Sequence, residues 1–355
     1  MQFIEPSVTP IETTGESTPQ EMIKVIEQAY RICYKSEHLM KEGSEKLIER
    51  LLKFDDPKQN IHSSPLEHRR ISMSCSFWVM NAIDVWQDKR KTNFITIYDN
   101  KTPSGEDFEW ILEGNFRAFF DFIKEVKPYS KEDIEDDPDR INEARLVINE
   151  ELNKFFPMIF QYVNPFEIVV DETSEVQYID WDAVNYIGEA TDYMTFKIVT
   201  SRDMLQEIAR HRTLSPNVES TRYCNYNKRG MSICCPLPYD WAKDLVSEND
   251  CGFDSNQTSN ITVDIPNDIG GLYRLMASMS ELCYNKAIEL GAKPQEARGM
   301  LIGSLKTEIM LTGTYTAWGH FVRLRNDKAA DPQMQYITKQ IEDWFIEHDV
   351  NIREY

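Results

Sequence analysis

No apolar run in this chain approaches the length of a bilayer span, so no segment is expected to cross a membrane. Bases are scarce: 39 Lys and Arg stand against 59 Asp and Glu, a formal net charge of −20. That balance argues against general attraction to nucleic acid or to anionic membranes. Cysteines number seven, without the regular spacing of a disulfide scaffold, which favours reduced thiols and a cytoplasmic setting. No Cys-x-x-Cys pair accompanies Cys224, Cys234 and Cys235, and the histidines lie far off, so structural zinc is not expected. The absence of Gly-x-Gly-x-x-Gly argues against a Rossmann flavin domain. Met1 to Pro6 shows no basic region leading into an apolar one, so no secretory leader is expected. Internal repeats and low-complexity tracts are also missing.

What remains is enough for a substantial core: 355 residues, 41% hydrophobic and 11% aromatic, suit one large domain or two ordinary ones. Met22, Ile23, Ile26, Ala29, Tyr30 and Cys33 recur at helical spacing over 20–34, with Thr18-Pro19 as N-cap and first turn. A second helix is expected over 43–53, with Leu47, Leu51 and Leu52 inward. Ile71, Met73, Cys75 and Phe77 alternate with serines, the pattern of a half-buried strand. Residues 80–192 are harder to read. Lys89-Arg90-Lys91 suits a solvated turn, Leu112 to Val126 a helix, and the acidic 130–152 stretch a solvated loop and helix. Phe196–Thr200 suits a strand, with Ser201-Arg202-Asp203 capping a helix that leads to Arg210. From Ile269 to Leu290, Leu272, Leu275, Met276, Met279, Leu282, Cys283 and Ala287 mark a core helix.

One stretch runs against the acidity of the whole. Arg210-His211-Arg212 is followed, after seven residues, by Ser220-Thr221-Arg222-Tyr223. Like charges so close together repel unless an anion sits among them. An Arg-rich helix end is ordinarily a solvated face, yet in this chain the cluster suggests a dedicated anion site.

The spacing Arg-His-Arg, seven residues, Ser, then Arg-Tyr resembles the signature of the flavin-dependent thymidylate synthases. Other blocks resemble that family in the same order. They are Cys33-Tyr34-Lys35-Ser36, then His62-Ser63-Ser64-Pro65-Leu66-Glu67-His68, then Gln295 to Arg298, Leu305 to Glu308, Trp318 to Arg325 and Pro332-Gln333. The two histidines of the second block are six apart across a proline, so they cannot share a helix face as zinc ligands.

The resemblance implies an α+β fold, a curved antiparallel sheet flanked by helices, in a single catalytic domain over 1–355. Relatives join the His-Glu strand to the Arg-His-Arg helix with fewer residues, so about 80–192 is expected to be an insertion. It further implies reductive methylation of dUMP to dTMP, with methylenetetrahydrofolate as carbon donor and NADPH reducing through FAD. Assembly is expected to be a homotetramer in the cytoplasm. Carried over by position, His62, Ser64, Arg210, His211, Arg212 and His320 would meet the FAD, the Arg-His-Arg ring stabilising a reduced flavin anion. Arg222 and Arg298 would hold the dUMP phosphate, and Arg325 the uracil edge. Ser220 would sit beside the pyrimidine with Glu207, Glu219 and Thr221 near the substrate; Ser220 and Arg325 are the catalytic candidates.

The chain departs from the family pattern at Glu207, where relatives carry Gln, at Val218, and at Thr314 and Thr316, where others have Asn and Arg. Two rivals follow from these observations. One is a flavin- and folate-dependent enzyme making a hydroxymethylated pyrimidine nucleotide; the other is a non-catalytic nucleotide- or RNA-binding protein.

Overall fold

The computed structural model describes residues 1–11, 17–41, 45–52, 63–90, 94–101, 108–124, 138–161, 184–246 and 265–355. In chain order these form β1 (Gln2–Ile4), β2 (Ser7–Ile11), α1 (Pro19–Cys33), α2 (Lys46–Leu52), β3 (Arg70–Cys75), α3 (Phe77–Arg90), β4 (Ile95–Lys101) and β5 (Phe108–Asn115). Next come α4 (Phe116–Lys124), α5 (Pro138–Phe155), α6 (Pro157–Phe160), β6 (Val184–Glu189), β7 (Tyr193–Ser201), α7 (Arg202–Ile208) and β8 (Ser215–Val218). The chain ends with α8 (Tyr226–Arg229), β9 (Ser232–Cys234), α9 (Ile269–Glu289), α10 (Pro294–Ala297), β10 (Lys306–Thr314), α11 (Tyr315–Arg325) and α12 (Pro332–Glu347). Helices and antiparallel strand pairs together make a mixed α and β protein.

The fold divides into two compact units. The first gathers Met1–Glu12, Ala29–Leu39 and Met194–Tyr355; the second holds Thr13–Gln28 and Met40–Tyr193. The boundary falls inside α1, whose six expected inward residues are all buried. Thr18 and Glu21 exchange hydrogen bonds at its start, closing a capping box ahead of Pro19.

The first unit is built on a sheet of order β2-β7-β10-β8, with β2 antiparallel to β7 and β8 antiparallel to β10. Phe196 of β7 meets Trp318, Trp344 and Phe345 edge-on, the arrangement that aromatic quadrupoles favour. The Trp318 indole N–H reaches Met194 O at 2.9 Å, so the buried donor is satisfied. A second apolar cluster gathers Phe3, Tyr226, Ile233, Ala277, Tyr284 and Leu305 around the parallel pair β1 and β9.

α9 corrects the expected core face. Gly270, Ala277, Ser278, Ser280 and Tyr284 are the buried positions, whereas Leu272 and Met276 are exposed and Leu275, Met279, Leu282 and Ala287 only part-buried. Apolar residues occur on both faces of this helix, so periodicity could not choose between them. Tyr284 decides it: its hydroxyl accepts from Tyr226 N at 3.3 Å, and its ring packs on the Tyr226 ring. The adjoining stripe leaves Ile269, Leu272, Met276 and Cys283 in solvent.

The second unit has a sheet of order β4-β5-β3-β6, all pairs antiparallel. β3 lies between β5 and β6, so both of its edges are paired, and Ser72 and Ser74 are buried with the apolar residues. The alternation ends at Cys75, because Phe77 opens α3 and is exposed. A helix was expected from Leu112; residues through Asn115 are instead strand β5, paired with β3 and β4, and the helix begins at Phe116. Pro138 occupies the first position of α5, which a missing N–H suits. In α2, Ile48 and Leu52 are the buried residues, with Leu47 and Leu51 half-buried. Lys89 and Arg90 close α3 in solvent rather than forming a turn, and Lys91 lies outside the described residues. β5 and β6, both from the 80–192 stretch, pair with the two edges of β3.

Candidate active site

The first unit holds the cationic stretch, and local rules explain how the chain enters it. Ser201 caps α7 by accepting from Met204 N at 3.4 Å, and the helix stops at Ile208. His211 N and Leu214 N then bond back to Ile208 O and His211 O, folding Arg210 to Leu214 into successive turns. Leu214 lies over Gly313 of β10, where an added Cβ would come within 2.2 Å of Leu214 Cδ2. Gly313 therefore lets the arginine loop sit down on the sheet.

Of the triplet, Arg210 and Arg212 are exposed and His211 is buried. Arg325, the last residue of α11, reaches the C-terminus of α7. It donates Nε–H to His211 Nε2 at 2.8 Å, Nη1–H to Glu207 Oε2 at 2.5 Å and Nη2–H to Glu207 O at 3.1 Å. Arginine has only donors, so His211 Nε2 is the acceptor and its proton sits on Nδ1. Burial, with Arg325 and His320 beside it, lowers the His211 pKa from about 6.5 to about 4. His211 is thus neutral at pH 7 and adds no positive charge for a flavin anion. Its ring packs edge-on against Phe321, with the exposed His320 5.9 Å away.

The second half of the motif hangs on the end of α1. Ser220 N donates to Cys33 O at 3.0 Å, and Arg222 N donates to Ser220 Oγ at 3.3 Å. Lys35 follows the helix with φ of 52°, the left-handed conformation common after a helix end. Arg229 donates to the carbonyls of Tyr34 and Lys35. Arg222 lies over the Tyr223 ring, which packs 5.4 Å from Tyr34. Thr221 is buried in this turn.

Glu219 does not face a substrate. Its side chain is 1% exposed and is taken by Lys306 Nζ at 3.0 Å and Tyr226 Oη at 2.8 Å, with Lys35 Nζ 4.0 Å off. Lys306 also bonds Glu308, which pairs with Lys197 at 2.6 Å, and Lys197 pairs with Glu37 at 3.3 Å. Burial alone would raise Glu308 and lower Lys306. The Lys306 and Lys197 charges instead hold Glu308 down at about 2, while Glu219 and Glu308 raise Lys306. Burial, and then Glu219, push the Tyr226 phenol far up. Glu219 is therefore an anchor for the turn carrying Ser220 and Arg222. Lys306, Tyr226 and Lys35 were missed as its holders by sequence reading: Lys35 and Lys306 lay in noted blocks, but nothing in the spacing tied them to Glu219.

Arg298 is exposed in the short turn after α10, and no hydrogen bond or ion pair joins it to the other arginines among the described residues. Thr314 caps α11 through Ala317 N at 3.3 Å, and Thr316 is exposed. Ser64 opens a short 3-10 turn in the second unit that ends at the buried His68; His62 lies outside the described residues.

Arg210, Arg212, Arg222 and Arg298 are thus exposed guanidiniums with no carboxylate partner among the described residues, in a chain carrying a 20-charge excess of acid. Residues 190–348 match the family model described as thymidylate synthase complementing protein. This stretch belongs to that family. A probable flavin-dependent thymidylate synthase of Paramecium bursaria Chlorella virus 1 is 28% identical over 141 residues, covering 38% of this chain and 57% of that protein. Another from Mycobacterium phage D29 is 24% identical over 148 residues, covering 41% and 57%. This chain thus aligns with little more than half the length of either relative. Among solved structures, Helicobacter pylori thymidylate synthase X with FAD and dUMP has 22% identity and a TM-score of 0.31, over 42% of this chain and 66% of that one. A UMP/dUMP methylase of Streptomyces cacaoi bound with 5-Br dUMP has 19% identity and a TM-score of 0.32, over 44% and 67%.

Proposed function

We propose that this chain is a flavin-dependent thymidylate synthase, converting dUMP to dTMP with methylenetetrahydrofolate as carbon donor and NADPH reducing through FAD. The observation that carries the reading is the set of exposed arginines with no carboxylate partner among the described residues, lying within the family-matched stretch of an acidic chain. Guanidinium forks match phosphate oxygens in geometry and charge. Arg222 and Arg298 take the nucleotide phosphate, and Arg210 and Arg212 the diphosphate of FAD. The bound flavin supplies the redox chemistry, and the protein's tasks are orientation and charge.

Ser220 orients rather than attacks. Its Oγ accepts from Arg222 N, which leaves its hydrogen for the pyrimidine. Among the described residues no His or carboxylate bonds it, as an activated nucleophile would need. Arg325 serves the base edge. The assignment of His62 and Ser64 to the flavin, the curvature of the sheet, the insertion within one catalytic domain and a cytoplasmic setting rest on the family resemblance.

A homotetramer is part of the proposal, and the exposed stripe Ile269, Leu272, Met276 and Cys283 on α9 offers a second copy an apolar face. Met276→Asp should lower the mass observed by light scattering. An unchanged mass would remove α9 from the interface.

The test of function is the mass of the nucleotide formed from dUMP, methylenetetrahydrofolate, NADPH and FAD. Thymidylate made only when all four are present is the expected result. A hydroxymethyl product would favour the second reading, for which Glu207 is the specific motive. A colourless protein that takes up no FAD and yields no product would sink both.

A further inference from the structure

We infer that Glu207 is a specificity-determining residue that turns the base site toward a cytosine edge, so that dCMP competes with dUMP. This rests on the proposed reading of the first unit as a pyrimidine nucleotide site and narrows which base it reads.

The argument starts from counting donors. Arg325 has five N–H groups, and three are spent on His211 Nε2, Glu207 Oε2 and Glu207 O. One hydrogen on each terminal nitrogen remains. Glu207 Oε1 takes no hydrogen bond among the described residues, and the Glu207 side chain is 32% exposed, so that oxygen is available. His211 Nε2 already accepts from Arg325, so the neutral ring adds no second acceptor to the rim. The Glu207–Arg325 pair therefore offers two donors beside one acceptor.

A cytosine edge presents two acceptors, O2 and N3, beside the donor N4–H₂, the complement of that set. Carboxylates accepting from cytosine N4 are a general mode of base recognition. Uracil presents acceptor, donor, acceptor, and its full complement is donor, acceptor, donor. An amide at 207 could provide that pattern together with an arginine, whereas a carboxylate cannot donate. With Glu207 in place, either uracil O4 faces a carboxylate oxygen or N3–H faces an arginine N–H. Leaving a buried polar group mismatched is what gives such sites their discrimination.

The experiment is calorimetric titration of the purified full chain with dCMP, dUMP and 2-deoxyribose 5-phosphate, repeated on Glu207→Gln. Native protein should bind dCMP at least as tightly as dUMP. In Glu207→Gln the ratio of the two affinities should move toward dUMP by about tenfold or more. Native protein binding dUMP tenfold tighter than dCMP, or a ratio that Glu207→Gln leaves unmoved, would overturn the inference. Equal binding of all three ligands would keep the phosphate site and refute base reading by Glu207. If none of the three binds to folded protein, the nucleotide reading itself fails, and this inference with it. The native comparison needs no variant, so poor folding of Glu207→Gln would still leave a decisive result.

Discussion

Lys306→Met should destabilise the protein by about 3–5 kcal/mol, the usual cost of removing one member of a buried ion pair. The Lys306 side chain is 7% exposed and sits between the carboxylates of Glu219 and Glu308. Without its ammonium, Glu219 keeps Tyr226 Oη at 2.8 Å but loses its one close cation, since Lys35 is 4.0 Å away. Glu308 retains Lys197. The uncompensated charge is thus chiefly that of Glu219, which stands directly before Ser220. Denaturant titration at neutral pH measures the loss. The double variant Lys306→Met with Glu219→Leu should regain much of it, because the buried charge then leaves with its partner. Equal losses in the single and double variants would mean that packing of the lysine stem, and not the charge pair, holds this turn.

His211→Gln should change the acid side of the stability profile. A histidine whose folded pKa is depressed stays neutral in the native protein until pH falls to about 4, while the unfolded chain protonates near 6.5. Between those values the unfolded state binds one more proton, so native stability falls as pH is lowered, at about 1.4 kcal/mol per unit at most. The contribution is fully present above 6.5 and gone below about 4. A glutamine at 211 can still accept from Arg325 through its amide oxygen, and it does not titrate. The gap in unfolding free energy between native and variant should therefore shrink from pH 7 to pH 4 and then level off. Parallel curves across that window would show that His211 is not held neutral.

These two predictions concern residues that sequence reading treated unequally. The Arg210 to Arg222 stretch announced itself because clustered cations in an acidic chain need a reason, and the caps at Thr18 and Ser201 were legible because they are local. Contacts between distant residues were not. Glu219 looked like a substrate ligand until its partner, Lys306, was found 87 residues further on. Glu207 and Arg325, 118 residues apart, were separately assigned to the base, and nothing in the spacing told that they pair with each other. The β5 strand was read as a helix because Leu112 to Asn115 carries no β-branched signal, and only pairing with β3 and β4 fixes it as extended chain. α9 was correct as a helix and wrong in its buried face, which Tyr284 sets through a residue 58 positions away.

The bond from Ser220 N to Cys33 O has one further consequence, for the order in which the molecule can assemble. The neighbouring contact, from the Cys224 thiol to the same carbonyl, closes a loop of 191 residues. Bringing such distant ends together costs about 5 kcal/mol of chain entropy before any contact rewards it. The turn bearing Ser220 and Arg222 therefore belongs among the late events of folding, after the intervening chain has compacted and shortened the effective loop. On the ribosome it can form only once Tyr223 and the Lys306 strand have emerged, so a nascent chain shorter than that carries the arginines without the geometry to use them.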